Sequence, residues 1–302
     1  MNGFTSAQPI VVGVDGSDLS EAAARWAAEV AQRWDAPLII AHAVPEPVYA
    51  YGDAAVVIYA EVFKSLHHDA RKIVDLARRA VRRQSPDLVV RTHVAHGQPD
   101  RMLLELSESA RLLVVGSKVP SHGTTHVGST ALHAVNRAKC PVVIWRDEGA
   151  PLLEDIERVV VGVDGSGLSE GAVGWAFEFA SLFGIPLVAA HAWTRNSQGA
   201  ATASAESAVL TDCLTSWREK YPDVEVTTVA EEAHPANLLA ELSRGARLVA
   251  VGSHGYGRLR GPLLGSTSQY LLRHAACPLL ICRPEAAHST QETAGSRAEF
   301  GT

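Results

Sequence analysis

Apolar and polar positions along the chain follow two alternating patterns. Residues 10–14 (IVVGV) form an unbroken apolar run that ends in Asp-Gly-Ser. A strand covered on both faces reads this way, because neither side of its sheet meets water. Residues 19–34 then place Leu19, Ala22, Ala23, Trp26, Val30 and Ala31 at helical spacing, with Glu21, Arg25 and Arg33 elsewhere. Ser17 or Asp18 stands where a cap would satisfy the helix's first free N–H groups. Residues 37–43 (PLIIAHA) predict a second strand, opened by a proline whose missing N–H is tolerated there. A longer variable stretch precedes a helix over 60–84, in which Ile73, Leu76, Ala77 and Ala80 share one face. Further strands are predicted over 88–95, 111–116 and 141–145, and helices over 99–110 and 129–138. Pro99 suits a first helical turn.

The whole order then recurs. IVVGVDGSDL at 10–19 returns as VVVGVDGSGL at 159–168, and both copies continue with Ser-Glu and a tryptophan, Trp26 or Trp175. The shift from Asp15 to Asp164 is 164 − 15 = 149 residues and also relates His42 to His191. RLLVVGS at 111–117 returns as RLVAVGS at 247–253, and KCPVVIWR at 139–146 as ACPLLICR at 276–283. The chain is therefore a duplication, with domains at 8–146 and 156–284. In the second copy, strands are expected at 158–163, 186–192, 224–230, 247–251 and 278–282. Helices are expected at 168–183, 204–220, 235–245 and 266–275. The acidic DEGAPLLED segment at 147–155 reads as an exposed linker, and residues 285–302 as a disordered tail without apolar periodicity.

Strands alternating with helices imply an α/β fold, a parallel sheet with helices on both faces. Ligands in such sheets sit at the carboxyl ends of the strands, near the switch point in strand order. Composition narrows the function. The 302 residues are 47% apolar and 20% charged, with net charge −6, which disfavours a general nucleic-acid binder. No apolar run is long enough for a membrane span. Met1 to Pro9 carry no Lys or Arg and no apolar core, so no secretory signal is expected. Four cysteines without a Cys-x-x-Cys pair form neither a disulfide scaffold nor a zinc knuckle. A soluble, reduced, cytoplasmic protein is expected.

The richest chemistry follows the fourth strand of the second copy, in GSHGYGRLRGPLLGSTSQYLL. Gly252, Gly255 and Gly265-Ser266 give the spacing Gly-x2-Gly-x9-Gly-Ser. Glycine permits positive φ and lets backbone N–H groups approach an anion with no Cβ in the way. Gly265, Ser266 and Thr267 then open a helix whose first N–H groups lack partners and whose dipole favours negative charge. Hydroxyls of Ser266, Thr267 and Ser268 add neutral donors, and Arg258 and Arg260 could add positive charge. The alternative is a glycine-rich surface loop, but its place after a strand and before a helix favours phosphate. Asp15 and Asp164 each follow a first strand. They either face the ligand, directly or through a water-bridged metal, or cap the next helix.

On these residues each half resembles the universal stress protein family, over nearly all of 8–284, and the tandem arrangement resembles its actinobacterial two-domain type. The resemblance implies two tandem Rossmann-like domains, each a five-stranded parallel sheet of order 3-2-1-4-5. It implies binding of ATP, with Mg²⁺ carried on the phosphates. In the second copy Gly162, Val163, Asp164 and Ala192 would meet the adenosine part. Val251 and Gly252 would end the fourth strand, and Gly255, Gly265, Ser266, Thr267 and Ser268 would surround the phosphates. In the first copy the matching positions are Gly13, Val14, Asp15, Ala43, Gly116, Gly128, Ser129 and Thr130. There Val119 replaces the second glycine, Pro120 follows it, and Ala131 replaces the Ser268 hydroxyl. The loop is one residue shorter: 128 − 116 = 12 against 265 − 252 = 13. Weaker nucleotide binding is expected there. The fifth strands are edges in this order, so an internal pseudo-dimer should form through them, leaving a homodimer of whole chains open.

Other signals are declined. His122 and His126 flank Gly-Thr-Thr, which does not suit a helical metal pair. His42 and His191 read as hydrogen-bonded histidines at the sheet end, and His254 as either a phosphate contact or exposed. Arg78, Arg79, Arg82 and Arg83 read as a solvated helix face. Cys277 and Cys282 should point to opposite faces of a strand. No P-loop lysine, nucleophile elbow or Ser-His-Asp pattern is evident, so a regulatory binding protein of the stress response is expected in preference to an enzyme. A slow ATPase and a nucleotide-free stress scaffold are the alternatives.

Overall fold

A computed structural model describes residues 8–44, 53–117, 127–146, 157–193, 203–255 and 264–283. The first half runs β1 (Ile10–Gly13), α1 (Asp18–Arg33), β2 (Leu38–Val44), α2 (Asp53–Gln84), β3 (Val90–His96), α3 (Pro99–Ser107), β4 (Leu112–Gly116), α4 (Ser129–Arg137) and β5 (Val142–Trp145). The second half repeats it: β6 (Val159–Gly162), α5 (Gly167–Phe183), β7 (Leu187–Trp193), α6 (Ala203–Lys220), β8 (Val226–Glu232), α7 (Pro235–Leu242), β9 (Leu248–Gly252), α8 (Ser266–His274) and β10 (Leu279–Cys282). Every predicted element is present. The linker 147–155 and the tail 285–302 lie outside the described residues.

Three differences have local causes. Helix α2 starts at Asp53 instead of 60, because the Val-Val-Ile run there reads weakly as helix. Its buried face is Ala70, Val74, Ala77 and Val81, whereas Leu76, expected inward, is 58% exposed. Helices α3 and α7 stop earlier than expected, each beside a buried serine. Ser107 Oγ donates to Leu104 O at 2.6 Å and accepts from Lys139 N at 3.0 Å. Ser243 Oγ donates to Ala240 O at 2.6 Å and accepts from Ala276 N at 2.9 Å. These hydroxyls compete with helix propagation and tie the helix end to the chain entering the fifth strand.

All ten strands form one sheet of order β3-β2-β1-β4-β5-β10-β9-β6-β7-β8. Each half is parallel with order 3-2-1-4-5, and the halves join where β5 pairs antiparallel with β10, Val143 opposite Leu280. Residues alternate between the faces, so Val12 and Val161 enter one buried cluster while Val11 and Val160 enter the other. Both clusters run across the junction, which makes the two halves one double-faced core.

Across α1 and α5 the junction carries a duplicated clamp. Arg111 of the first half binds Glu178 of the second, and Arg247 of the second half binds Glu29 of the first at 2.7 Å. Each guanidinium also stacks on an aromatic ring of its own half, Arg111 on Trp34 at 4.0 Å and Arg247 on Phe183 at 4.1 Å. Trp34 meets Trp175 and Phe179 across the junction, with ring centroids 5.7 and 5.1 Å apart. The repeat of one contact in both directions is the mark of a two-fold interface, here built inside a single chain. Among the described residues no helix is long and apolar enough to cross a membrane.

Candidate functional site

The strand order switches between β6 and β9, and a cavity of about 480 Å³ opens at their carboxyl ends. Its volume suits a small molecule the size of a nucleotide. All eleven residues singled out in the second copy line it: Gly162, Val163, Asp164, Ala192, Val251, Gly252, Gly255, Gly265, Ser266, Thr267 and Ser268. Sequence reasoning missed the opposite wall, Pro235, Leu238 and Leu239 of α7. The crossover from β8 brings that helix to the same face of the sheet as α8, where Leu238 and Leu239 share an apolar cluster with Ala190 and Val251. Part of the lining is thus apolar, and part is the opening of α8.

Of the two properties expected of the motif glycines, positive φ is not used. Gly252, Gly255 and Gly265 do not adopt positive φ; that conformation belongs to Gly16 (φ 87°) and Gly165 (φ 78°) in the Asp-Gly-Ser turns. The motif glycines are needed for close approach. A Cβ on Gly252 would lie 3.0 Å from Leu168 Cβ and 3.1 Å from His254 O. One on Gly255 would sit 2.2 Å from Asp164 Oδ2, and one on Gly265 3.3 Å from His254 Cα. The loop is therefore folded tightly onto α5 and onto itself. Arg258 and Arg260 lie outside the described residues.

Gly265 is the N-cap of α8 and supplies no side-chain cap. Its own N–H donates to Ser253 O at 2.8 Å, so the N–H groups of Ser266, Thr267 and Ser268 are the free ones. The Ser268 hydroxyl, expected as a ligand donor, is buried and donates to Gly252 O at 2.7 Å. It staples the loop to the helix, which leaves the hydroxyls of Ser266 and Thr267 as donors. Ala131, buried in the first copy, cannot make that staple.

One oxygen of Asp164 makes the turn bond weighed for it. Oδ1 accepts from Ser166 N at 2.9 Å and Ser166 Oγ at 2.6 Å, and Ser166 caps α5. Oδ2 faces Gly255. Asp15 repeats the turn with Ser17, at 3.0 and 2.6 Å. Burial alone would raise its pKa; the bonds from Ser17 and Ser20 outweigh that and hold the carboxyl below its usual value. His42 and His191 each place Nδ1 2.7 Å from the carbonyl of Val14 or Val163. His191 Nε2 lies 2.7 Å from Glu206 Oε2, so both ring nitrogens are engaged. His254 lines the cavity with Nδ1 3.1 Å from Ser253 Oγ.

In the first copy, Gly13, Val14 and Asp15 end β1 as their counterparts end β6, Ala43 lies in β2 and Gly116 ends β4. Gly128 caps α4 without a side-chain bond, and Ser129 and Thr130 open that helix. The departures at Val119 and Pro120, and His122 and His126, lie outside the described residues.

Among the described residues the four cysteines form no disulfide. Burial pushes Cys140 up to about 12 and raises Cys282 as well. Cys213 is raised by burial first, then by Glu170, Asp212 and Asp164. Since the thiolate is the reactive form, iodoacetamide at pH 8 should leave Cys140, Cys277 and Cys282 unlabelled until the protein unfolds. Cys213, half-buried on α6, should react first but slowly; mass spectrometry of timed digests checks the order.

A family model described as the universal stress protein family matches residues 7–146 and again residues 155–283. The chain belongs to the universal stress protein family. A universal stress protein of Mycolicibacterium smegmatis is 35% identical over 286 residues, covering 91% of this chain and 97% of that protein. One from Mycobacterium tuberculosis is 36% identical over 290 residues, covering 91% and 96%. The crystal structure of a universal stress protein from Archaeoglobus fulgidus superposes with a TM-score of 0.68 at 17% identity, covering 91% of this chain and 98% of that one. At that identity it speaks for the fold, a Rossmann-like α/β sheet, alone.

Proposed function

We propose that this universal stress protein binds an adenine nucleotide, ATP above all, in its second domain and acts in the cytoplasm as a nucleotide-dependent regulator of the stress response. The observation that carries the reading is the mixed lining of the cavity. Pro235, Leu238, Leu239 and Ala192 would offer apolar surface to a flat base. The uncapped opening of α8 offers free N–H groups and a positive dipole end to phosphate. Gly255 and Gly265 fold the loop closely onto Asp164 and His254, which brings the backbone beside the opening of α8. Mg²⁺ would screen the phosphate charge when bound, and Asp164, which lines the cavity, would be the carboxylate to reach it through water. Four cysteines without a disulfide among the described residues suit a reducing compartment.

The reading is of binding and not of catalysis. Among the described lining residues the one carboxylate is Asp164, and half of it is held by Ser166. Occupancy can shift conformation or assembly by as much as the nucleotide's affinity differs between the two states.

The test is nucleotide identity and stoichiometry. Freshly purified protein is denatured, and the released nucleotides are resolved by ion-exchange chromatography against protein concentration. About one ATP per chain is expected, from a competent second domain. About two would show that the first domain also holds phosphate. None, even after incubation with Mg-ATP, would overturn the reading in favour of a nucleotide-free scaffold.

A further inference from the structure

The helix that opens onto the second domain's cavity is gripped at its other end by the first domain. Arg146, the residue after β5, is only 3% exposed. Its Nη1 donates to Ala275 O at 3.0 Å and its Nη2 donates to Leu272 O. Both carbonyls belong to the closing turn of α8, where no intrahelical donor remains and the dipole is negative. The grip is reciprocal: Arg283, the residue after β10, donates to Val135 O of α4 at 2.9 Å. Val135 and Leu272 are matching positions of the repeat, as are Arg146 and Arg283. Each domain thus holds, through an arginine next to the shared strand pair, the carboxyl end of the other's last helix.

We propose that Arg146 is a positioning residue for the nucleotide site of the second domain, so that the first domain sets the affinity of a site it does not touch. The proposal rests on the nucleotide reading above. Helix α8 has nine residues, about 13 Å of rise. A rod this short moves as one piece, so a shift at Leu272 and Ala275 is felt at Ser266 and Thr267. Hydrogen bonds to phosphate weaken steeply with misalignment, and small displacements of α8 therefore read out as affinity. Linkage runs both ways: nucleotide that orders the front of α8 also tightens its hold on Arg146.

The experiment compares Mg-ATP binding by calorimetry in the full chain, in Arg146→Met and in Arg283→Met. Methionine keeps the apolar stem and removes the donors. Arg146→Met should weaken the second-domain Kd about fivefold or more. Arg283→Met, the same change acting on α4, should alter it less than about twofold, and Arg146→Lys should recover part of the loss. In the wild-type protein the Arg146 Nε–H resonance should shift on adding Mg-ATP, and should not shift in Gly265→Asp. Wild-type affinity in folded Arg146→Met, or equal losses in both methionine variants, overturns the proposal while nucleotide binding stands. If Arg146→Met fails to fold, the resonance decides: no shift in the wild type overturns the proposal. Absence of any binding in the wild type overturns the reading of the site and this inference with it.

Discussion

Gly265→Asp will lose Mg-ATP affinity by about 100-fold or more while leaving the fold as stable as the wild type. Gly265 already has the extended backbone of an N-cap, φ −63° and ψ 158°, so aspartate fits its conformation without strain. There the carboxylate would accept the N–H groups of Thr267 and Ser268, the donors a phosphate needs. Capping adds about 1 kcal/mol to the helix. The tight approach of the new Cβ to His254 Cα, at 3.3 Å, offsets part of that gain. The ligand loses at least one charge-assisted bond, each contributing about 1.5–3 kcal/mol, and meets a like charge as well. Gly252→Asp would be a poorer probe. Its Cβ would meet the backbone of Leu168 and of His254 at 3.1 Å, so it damages the fold and the site together. Gly128→Asp caps α4 with no atom of the described residues within 4 Å of its Cβ, and second-domain binding should be untouched. Calorimetry with Mg-ATP, paired with thermal unfolding, reads both quantities. Normal binding in Gly265→Asp together with loss in Gly128→Asp would move the stronger site to the first domain.

The contrast between Gly265 and Gly252 also shows what a sequence can carry. The duplication was legible because one shift of 149 residues relates Asp15 to Asp164 and His42 to His191. Much of the cavity's lining was legible because Gly162, Val251 and Gly252 close strands and Gly265 to Ser268 open a helix, positions that alternating patterning locates directly. Leu238 and Leu239 were not, since an apolar face that lines a cavity reads like one that packs in a core. Nor was the role of the glycines, because a short contact between Gly255 and Asp164 joins residues 91 apart in the chain (255 − 164). Arg111 and Arg146 flank strands as exposed charges commonly do. Only the meeting of β5 with β10 brings their partners, Glu178 and the end of α8, within reach.

Glu178→Ala will destabilise the whole chain by about 3–5 kcal/mol, the cost of stranding a buried charge. Arg111 is 7% exposed and Glu178 20% exposed on their side chains, so water cannot replace the missing carboxylate. Burial raises the Glu178 pKa against the pull of Arg111 and Lys220, and burial also lowers that of Arg111. Replacing both, Arg111→Met with Glu178→Leu, should regain most of the loss, because apolar side chains of similar volume suit the ring of Trp34 beneath them. The matching pair at the other end predicts the control. Arg247 and Glu29 are 21% and 27% exposed, and Arg247 keeps a second acceptor, Glu157, at 2.6 Å. Glu29→Ala should accordingly cost only about 1 kcal/mol. Urea midpoints of the four proteins give the comparison. Equal losses from Glu178→Ala and Glu29→Ala would mean that burial does not set the strength of the clamp. Unequal losses would mark the Arg111 side as the part of the junction that holds the two domains in one sheet.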